Sequence, residues 1–284
     1  MIAIKAAGRT ISPTTIQFSG GELHVKLHPL NLIRSDEIRI FAQIQSSNDL
    51  VELLHVKEIL DRVYPYNSKI LVLPYLPYAR QDRVTEINTS FTLKTFANLI
   101  NSLKFDKILT YDAHSDVSLA LIDRIENIDV DTILAREQSS LYEAINRALV
   151  GFDVTIVAPD AGAAKRLTKV IDRIQIDCLT LQKHRDVTNG HITIQSLQSK
   201  HDGIAVIIDD ICDGGATFIQ AAKVLREAGF TEVWLYVTHG IFSKGLETLF
   251  QGGIDKVFTT NSFHNGLLDG GYDYDGCVVV DDVI

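Results

Sequence analysis

Three cysteines, one methionine, one tryptophan and six prolines are all that 284 residues hold of those types, and basic residues are outnumbered 27 to 36 by acidic ones. Cys178, Cys212 and Cys277 are odd in number and far apart, which suits neither a disulfide framework nor a zinc knuckle, so buried thiols are expected. No apolar run approaches the roughly 18 residues of a membrane helix, and the opening MIAIKAAGRT lacks the apolar stretch and cleavage site of a secretory signal. A cytoplasmic protein without a membrane partner follows as the expectation. The formal net charge of -9 denies the chain the broad basic surface that phosphate backbones require. Nucleic acid is therefore not an expected partner, and any anion site must be local.

What is present is the balance of a packed globular chain, with 46% hydrophobic and 22% charged residues, and a length that leaves room for two medium-sized cores. Runs rich in Ile, Val and Leu recur at 38–44, 69–73, 107–111, 154–158, 204–208 and 233–238. Unalternating runs of this kind suit strands buried on both faces. Between them stand helical spacings, such as Leu93, Phe96, Ala97 and Ile100, or Phe218, Ala221, Ala222 and Leu225. Strand and helix alternate, so the sheets should be mainly parallel. A loose echo between LVLPYLPYARQD from Leu71 and IVAPDAGAAKR from Ile156 fits a duplicated plan. The boundary is expected near 129–136, with domains 1–133 and 134–284 and no flexible linker between them.

The segment IAVIIDDICDGGAT, residues 204–217, joins a buried strand to a small-residue turn that opens a helix. Ligands of open α/β sheets bind at the carboxyl ends of strands. Free amides from Asp213 through Gly214, Gly215 and Ala216 to Thr217 can wrap a phosphate, with the Thr217 hydroxyl added, while Asp209 and Asp210 face sugar hydroxyls directly or through a cation. The plainer alternative is a solvated turn with a helix cap. This segment resembles the phosphoribosyl-pyrophosphate loop shared by phosphoribosyltransferases and phosphoribosyl pyrophosphate synthetases.

Further segments narrow the resemblance to the ribose-phosphate diphosphokinase family. PYARQDR at 77–83 resembles that family's ATP loop, which implies nucleotide contacts for Arg80 and Gln81. Asp112-Ala-His114 is similar to the motif whose histidine contacts the Mg²⁺ held by ATP. PDAGAAKR at 159–166 is similar to a loop whose aspartate, here Asp160, lies beside metal and sugar. Lys183-His-Arg185 resembles the catalytic loop whose lysine and arginine close over the transferring phosphates, and THGIFS at 238–243 fits the pattern, with His239 expected to be structural. FSGGE at 18–22 resembles a segment that crosses a subunit interface to hold adenine, Phe18 stacking and Glu22 accepting from the amino group; Gly20-Gly21 also reads as a hairpin turn.

The resemblance implies an α/β fold of two tandem phosphoribosyltransferase-like domains, each a mainly parallel sheet flanked by helices. It also implies transfer of the β,γ-diphosphoryl group of ATP to the 1-hydroxyl of ribose 5-phosphate, giving phosphoribosyl pyrophosphate and AMP. Mg²⁺ is the implied cofactor, ATP and ribose 5-phosphate the implied partners, and a dimer-based homo-oligomer the implied assembly, a hexamer being common in the family. Such chemistry asks a site to neutralise and align charge more than to move protons, which suits Lys183, Arg185 and Arg80, with His114 and Asp160 as sparse Mg²⁺ partners. Gly214 stands where a hydroxyl residue is usual and Ala216 where glycine is usual. One hydroxyl contact is thereby lost, and a positive φ at Ala216 would crowd a phosphate. These departures motivate a second reading, a non-catalytic homologue that modulates a synthetase; a third is a phosphoribosyltransferase.

Overall fold

The computed structural model describes residues 1–34, 36–135, 139–185, 192–263 and 277–282, with the side chains of residues 183–185 and 192 outside the description. The chain divides into two compact units, one from Met1 to Ile128 and one from Asp129 onward.

The first unit comprises β1 (Ile2–Ala6), β2 (Arg9–Ile11), β3 (Thr14–Gln17), β4 (Leu23–Lys26), β5 (Ile38–Ala42), α1 (Ser47–Val63), β6 (Lys69–Leu73), α2 (Thr92–Ser102), β7 (Lys107–Tyr111), α3 (Asp116–Leu121) and β8 (Ile125–Ile128). Its six-stranded sheet has the order β2-β1-β5-β6-β7-β8, parallel from β5 to β8 and antiparallel at the β1–β2 edge. The run KILVL is buried at every position of β6, as an unalternating strand covered on both faces must be. At α1, Ser46 and Asp49 form a capping box, each side chain accepting from the other residue's backbone N–H. Leu53 and Leu60 of α1 and Leu93 and Ile100 of α2 close over Ile38, Ile40 and Leu71 to make the core. The β3–β4 hairpin stands apart from that sheet, antiparallel and turned at 18–22.

The second unit comprises α4 (Val130–Leu134), α5 (Ser140–Ala148), β9 (Val154–Ala158), α6 (Ala161–Ile174), β10 (Cys178–Thr180), β11 (Lys183–Arg185), β12 (Ile192–Ile194), β13 (Ile204–Cys212), α7 (Ala216–Glu227), β14 (Glu232–Gly240), α8 (Glu247–Gln251), β15 (Lys256–Thr260) and β16 (Val278–Asp281). Its sheet runs β10-β9-β13-β14-β15-β16 with every pairing parallel. One face is covered by α7, through Phe218, Ala221 and Leu225, and the other by α5 and α6, through Leu141, Ile145 and Leu167.

Two expectations are corrected here. The strand expected at 204–208 continues to Cys212, because β14 runs on to Gly240 and keeps pairing with it at Ile211 and Cys212. Asp209 and Asp210 are thus within the strand and not beyond it. Nor are all three cysteines buried: Cys178, on the edge strand β10, is exposed. Among the described residues, no helix is long and apolar enough to cross a membrane.

Candidate active site

At the carboxyl edge of the second sheet, the neighbouring strands β9 and β13 deliver Asp160, Asp209 and Asp210. Asp160 caps α6, its Oδ1 accepting from the Ala163 N–H at 3.0 Å. That is the helix-cap geometry, and it keeps the carboxylate at the strand end. Two turns further on, α6 presents Arg166, whose guanidinium reaches Asp209 Oδ1 at 2.6 Å and Asp210 Oδ1 at 3.2 Å. The side chains of Asp209 and Asp210 are only 18% and 6% exposed, so the triad is largely shut off from water. Burial pushes the Asp209 carboxyl up to about 8, the adjacent Asp210 carboxylate adds to the rise, and Arg166 opposes both. An acidic pair clamped by one arginine can hold a proton, or exchange part of its arginine contact for sugar hydroxyls. Arg166 was not singled out in the sequence because an arginine on an amphipathic helix reads as a solvated face.

After β13 the chain enters the small-residue loop. Ser243 fastens it, donating from Oγ to Asp213 Oδ1 at 2.6 Å and from its N–H to the Asp213 carbonyl at 3.1 Å. Gly215 takes the left-handed conformation, φ +76°, as the N-cap of α7, and a Cβ there would lie 2.6 Å from Leu249 Cδ2. The crowding anticipated at Ala216 does not arise: Ala216 is the first helical residue, and the position that requires a glycine is 215. No side chain caps this helix start, which leaves the first amides and the half-buried Thr217 for an external acceptor. Gly214 offers no side chain.

Lys183 and Arg185 lie on the antiparallel ribbon β11–β12, in register with Ile194 and Ile192. Their side chains lie outside the described residues. The β12 strand packs along α7, the helix that begins at the small-residue loop. His239 is 2% exposed, with Nδ1 2.8 Å from Ser262 Oγ, and Ser262 in turn donates to the Thr238 carbonyl, so it is held inside the sheet layer as expected of a structural residue.

In the first unit, Arg80 and Gln81 are exposed on the loop that follows β6. This loop meets the one after β7. Asp82 is held below the usual carboxylate range chiefly by its hydrogen bond from Arg83, at 2.8 Å, with further lowering from Ser115 and His114. Both loops contain left-handed non-glycine residues, Tyr78 at φ 63° and the buried Asp112 at φ 40°. Such conformations are costly and persist where the surroundings fix them, often at functional loops. Asp82 was also missed from sequence; its role as the joint between the two loops has no local signature. At the hairpin tip, the Phe18 N–H donates to the Glu22 carbonyl at 2.9 Å, and the Phe18 ring is 55% exposed. Among the described residues, no group of three or more His, Cys, Asp or Glu side chains could hold a metal ion by itself. A hard cation that keeps most of its waters and binds partly through a ligand's phosphates needs no such cluster.

Comparisons with known proteins bear on the family and the fold. Residues 2–103 match the model for the N-terminal domain of ribose phosphate pyrophosphokinase, and residues 199–267 match the phosphoribosyl synthetase-associated domain. Ribose-phosphate pyrophosphokinase A of Dictyostelium discoideum is 30% identical over 253 residues, 87% of this chain and 76% of that protein. Ribose-phosphate pyrophosphokinase 1 of Listeria monocytogenes serovar 1/2a is 30% identical over 248 residues, 86% of this chain and 75% of that one. With ribose-phosphate pyrophosphokinase 2 of Schizosaccharomyces pombe, the match of 31% identity covers 67% of this chain and 59% of the relative. The crystal structure of phosphoribosylpyrophosphate synthetase from Mycobacterium smegmatis superposes with a TM-score of 0.73 at 20% identity, covering 96% of this chain and 86% of that one. That likeness gives the fold, an α/β pair of mainly parallel sheets flanked by helices, and the sequence relatives give the rest: the chain belongs to the ribose-phosphate pyrophosphokinase family.

Proposed function

We propose that this chain is an active ribose-phosphate pyrophosphokinase that transfers the β,γ-diphosphoryl group of ATP to the 1-hydroxyl of ribose 5-phosphate, with Mg²⁺ as cofactor. The observation that carries the reading is the second unit's carboxyl edge, where a buried acidic pair, an uncapped helix start and the ribbon bearing Lys183 and Arg185 all attach to β13 and α7. On this reading the amides from Asp213 through Gly214, Gly215 and Ala216 to Thr217 receive the 5-phosphate, and Asp209 and Asp210 receive the ribose hydroxyls. Lys183 and Arg185 bear on the phosphoryl oxygens, where negative charge shifts during transfer.

In the first unit, Arg80 and Gln81 contact the nucleotide, while Phe18 and Glu22 recognise adenine. The exposed ring at the hairpin tip suits stacking on a base and fits a dimer-based homo-oligomer. His114 and Asp160 would hold Mg²⁺, the histidine through water; bound there, the ion would neutralise the polyphosphate. Asp160 itself orients α6 and keeps a carboxylate at the strand end. A cytoplasmic setting, where ATP and sugar phosphates are available, completes the proposal.

The test is incubation of the purified chain with ATP, Mg²⁺ and ribose 5-phosphate, without nucleobase. AMP and a diphosphorylated sugar in equal amounts are expected. Lys183→Ala should lower turnover by orders of magnitude without unfolding the protein, since the ammonium acts mainly in the transition state. Absence of AMP from a partner-free sample would favour the modulating homologue, and diphosphorylated-sugar consumption with a base would favour the phosphoribosyltransferase.

A further inference from the structure

The loss of a hydroxyl side chain at Gly214 is accompanied by a gain that the sequence order hides. A Cβ built on Gly214 would meet Lys244 Cε at 3.4 Å, Cδ at 3.5 Å and Cγ at 3.7 Å, so three consecutive carbons of the lysine stem lie across the bare glycine. The ammonium follows one bond beyond Cε. Its backbone is fixed from both sides, by the Ser243 bonds to Asp213 and by Thr248 Oγ, which donates to the Lys244 carbonyl at 2.7 Å. Among the described residues, no ion pair or hydrogen bond occupies the Lys244 ammonium. Of the nearby acids, Asp213 is engaged by Ser243 and Glu247 by Gln251.

Charge at the loop makes this lysine matter. The strand and turn carry three carboxylates, Asp209, Asp210 and Asp213, and the arginine that faces the first two is committed to them. Backbone amides and a helix start supply partial charges only, worth well under a full cation. A phosphate dianion arriving at such a turn needs a mobile, unpaired positive charge, and a lysine on a flexible stem is suited to act as one.

We infer that Lys244 binds the 5-phosphate of the acceptor, occupying the place a hydroxyl at 214 would have served and setting the preference for phosphorylated over free ribose. This rests on the reading of the 213–217 loop as the acceptor-phosphate loop. It assigns Lys244 to binding, not to the transfer step.

The experiment measures calorimetric binding of ribose 5-phosphate, inorganic phosphate and unphosphorylated ribose to the full chain and to its Lys244→Gln and Lys244→Arg variants. In Lys244→Gln, affinity for both phosphate compounds should fall about tenfold or more, the range of one charged hydrogen bond, while ribose binding stays constant. Lys244→Arg should recover most of the loss. In turnover assays the same Gln variant should raise KM for ribose 5-phosphate and leave kcat and KM for ATP in place. Wild-type affinity for ribose 5-phosphate in Lys244→Gln overturns the inference, even if AMP is formed. Lysine-dependent phosphate binding in a protein that forms no AMP upholds it and overturns the proposed reaction. A wild-type chain that binds neither phosphate compound overturns both.

Discussion

Replacing Arg166 by methionine keeps most of the stem and removes the cation that faces Asp209 and Asp210. Breaking a buried ion pair from one side costs about 3–5 kcal/mol, because the abandoned charge stays out of water. Asp209, raised to about 8, already holds its proton for the most part at pH 7, so a single charge is abandoned and the lower figure, about 3 kcal/mol, is expected. For a unit of this size that is a fall of about 6–12 °C in Tm. The pH dependence is the sharper signature. Asp209 is raised to about 8 in the folded protein, so its contribution is complete below the ordinary carboxylate range and is lost as pH rises through about 8. Arg166 is what limits that rise, and its removal moves the loss to higher pH. Between pH 8 and pH 9 the wild type sheds what is left of that proton while the variant keeps its own, so the variant should lose about a further 1 kcal/mol relative to the wild type, somewhat less than the value of one full proton per pH unit. Urea unfolding followed by the fluorescence of Trp234 reads this out; it is the single tryptophan of the chain and is buried in the same unit. A difference below about 1 kcal/mol at pH 7, or one that is identical at pH 7 and pH 9, would refute the coupling of the arginine to a buried acidic pair.

Gly215→Ala places a methyl group 2.6 Å from Leu249 Cδ2 at a left-handed backbone, and should cost about 1–3 kcal/mol while raising KM for ribose 5-phosphate; an unchanged Tm would show that the loop rearranges freely. Asp160→Asn keeps a cap acceptor for the Ala163 N–H, so stability should change by less than about 0.5 kcal/mol, whereas turnover should fall and the Mg²⁺ requirement rise. Full activity with the ordinary Mg²⁺ requirement in that variant would leave Asp160 as a helix cap alone.

The parts of the fold that were legible are those whose burial is one-sided in information. The runs at 69–73, 107–111 and 154–158 fall on β6, β7 and β9 because a strand covered on both faces tolerates few polar residues. Strands β1 and β3 left no such trace: β1 alternates buried and half-buried positions, and β3 is exposed at all four. The length of β13 was invisible for a related reason, since its last residues include two aspartates that no rule of apolar patterning would place in a strand. At the candidate site, residues bound to a turn chemistry, such as Asp213 to Thr217, were readable from local spacing. Arg166, Asp82 and Lys244 were not. Each lies against a neighbour that is near in space and remote or inconspicuous in sequence, and spacing carries no record of that.

The all-parallel order of the second sheet also bears on how the chain is made. Parallel neighbours cannot be joined by a tight turn, and β13 pairs with β9 only after α6, β10 and the β11–β12 ribbon have been synthesised. The entropy of closing that long segment must be met before the central contacts reward it, which predisposes this half to slow acquisition of structure. A nascent chain would meanwhile hold VTIVA, the β9 strand, without its β13 neighbour beside other copies on the same message, and early demand for chaperones should be concentrated there.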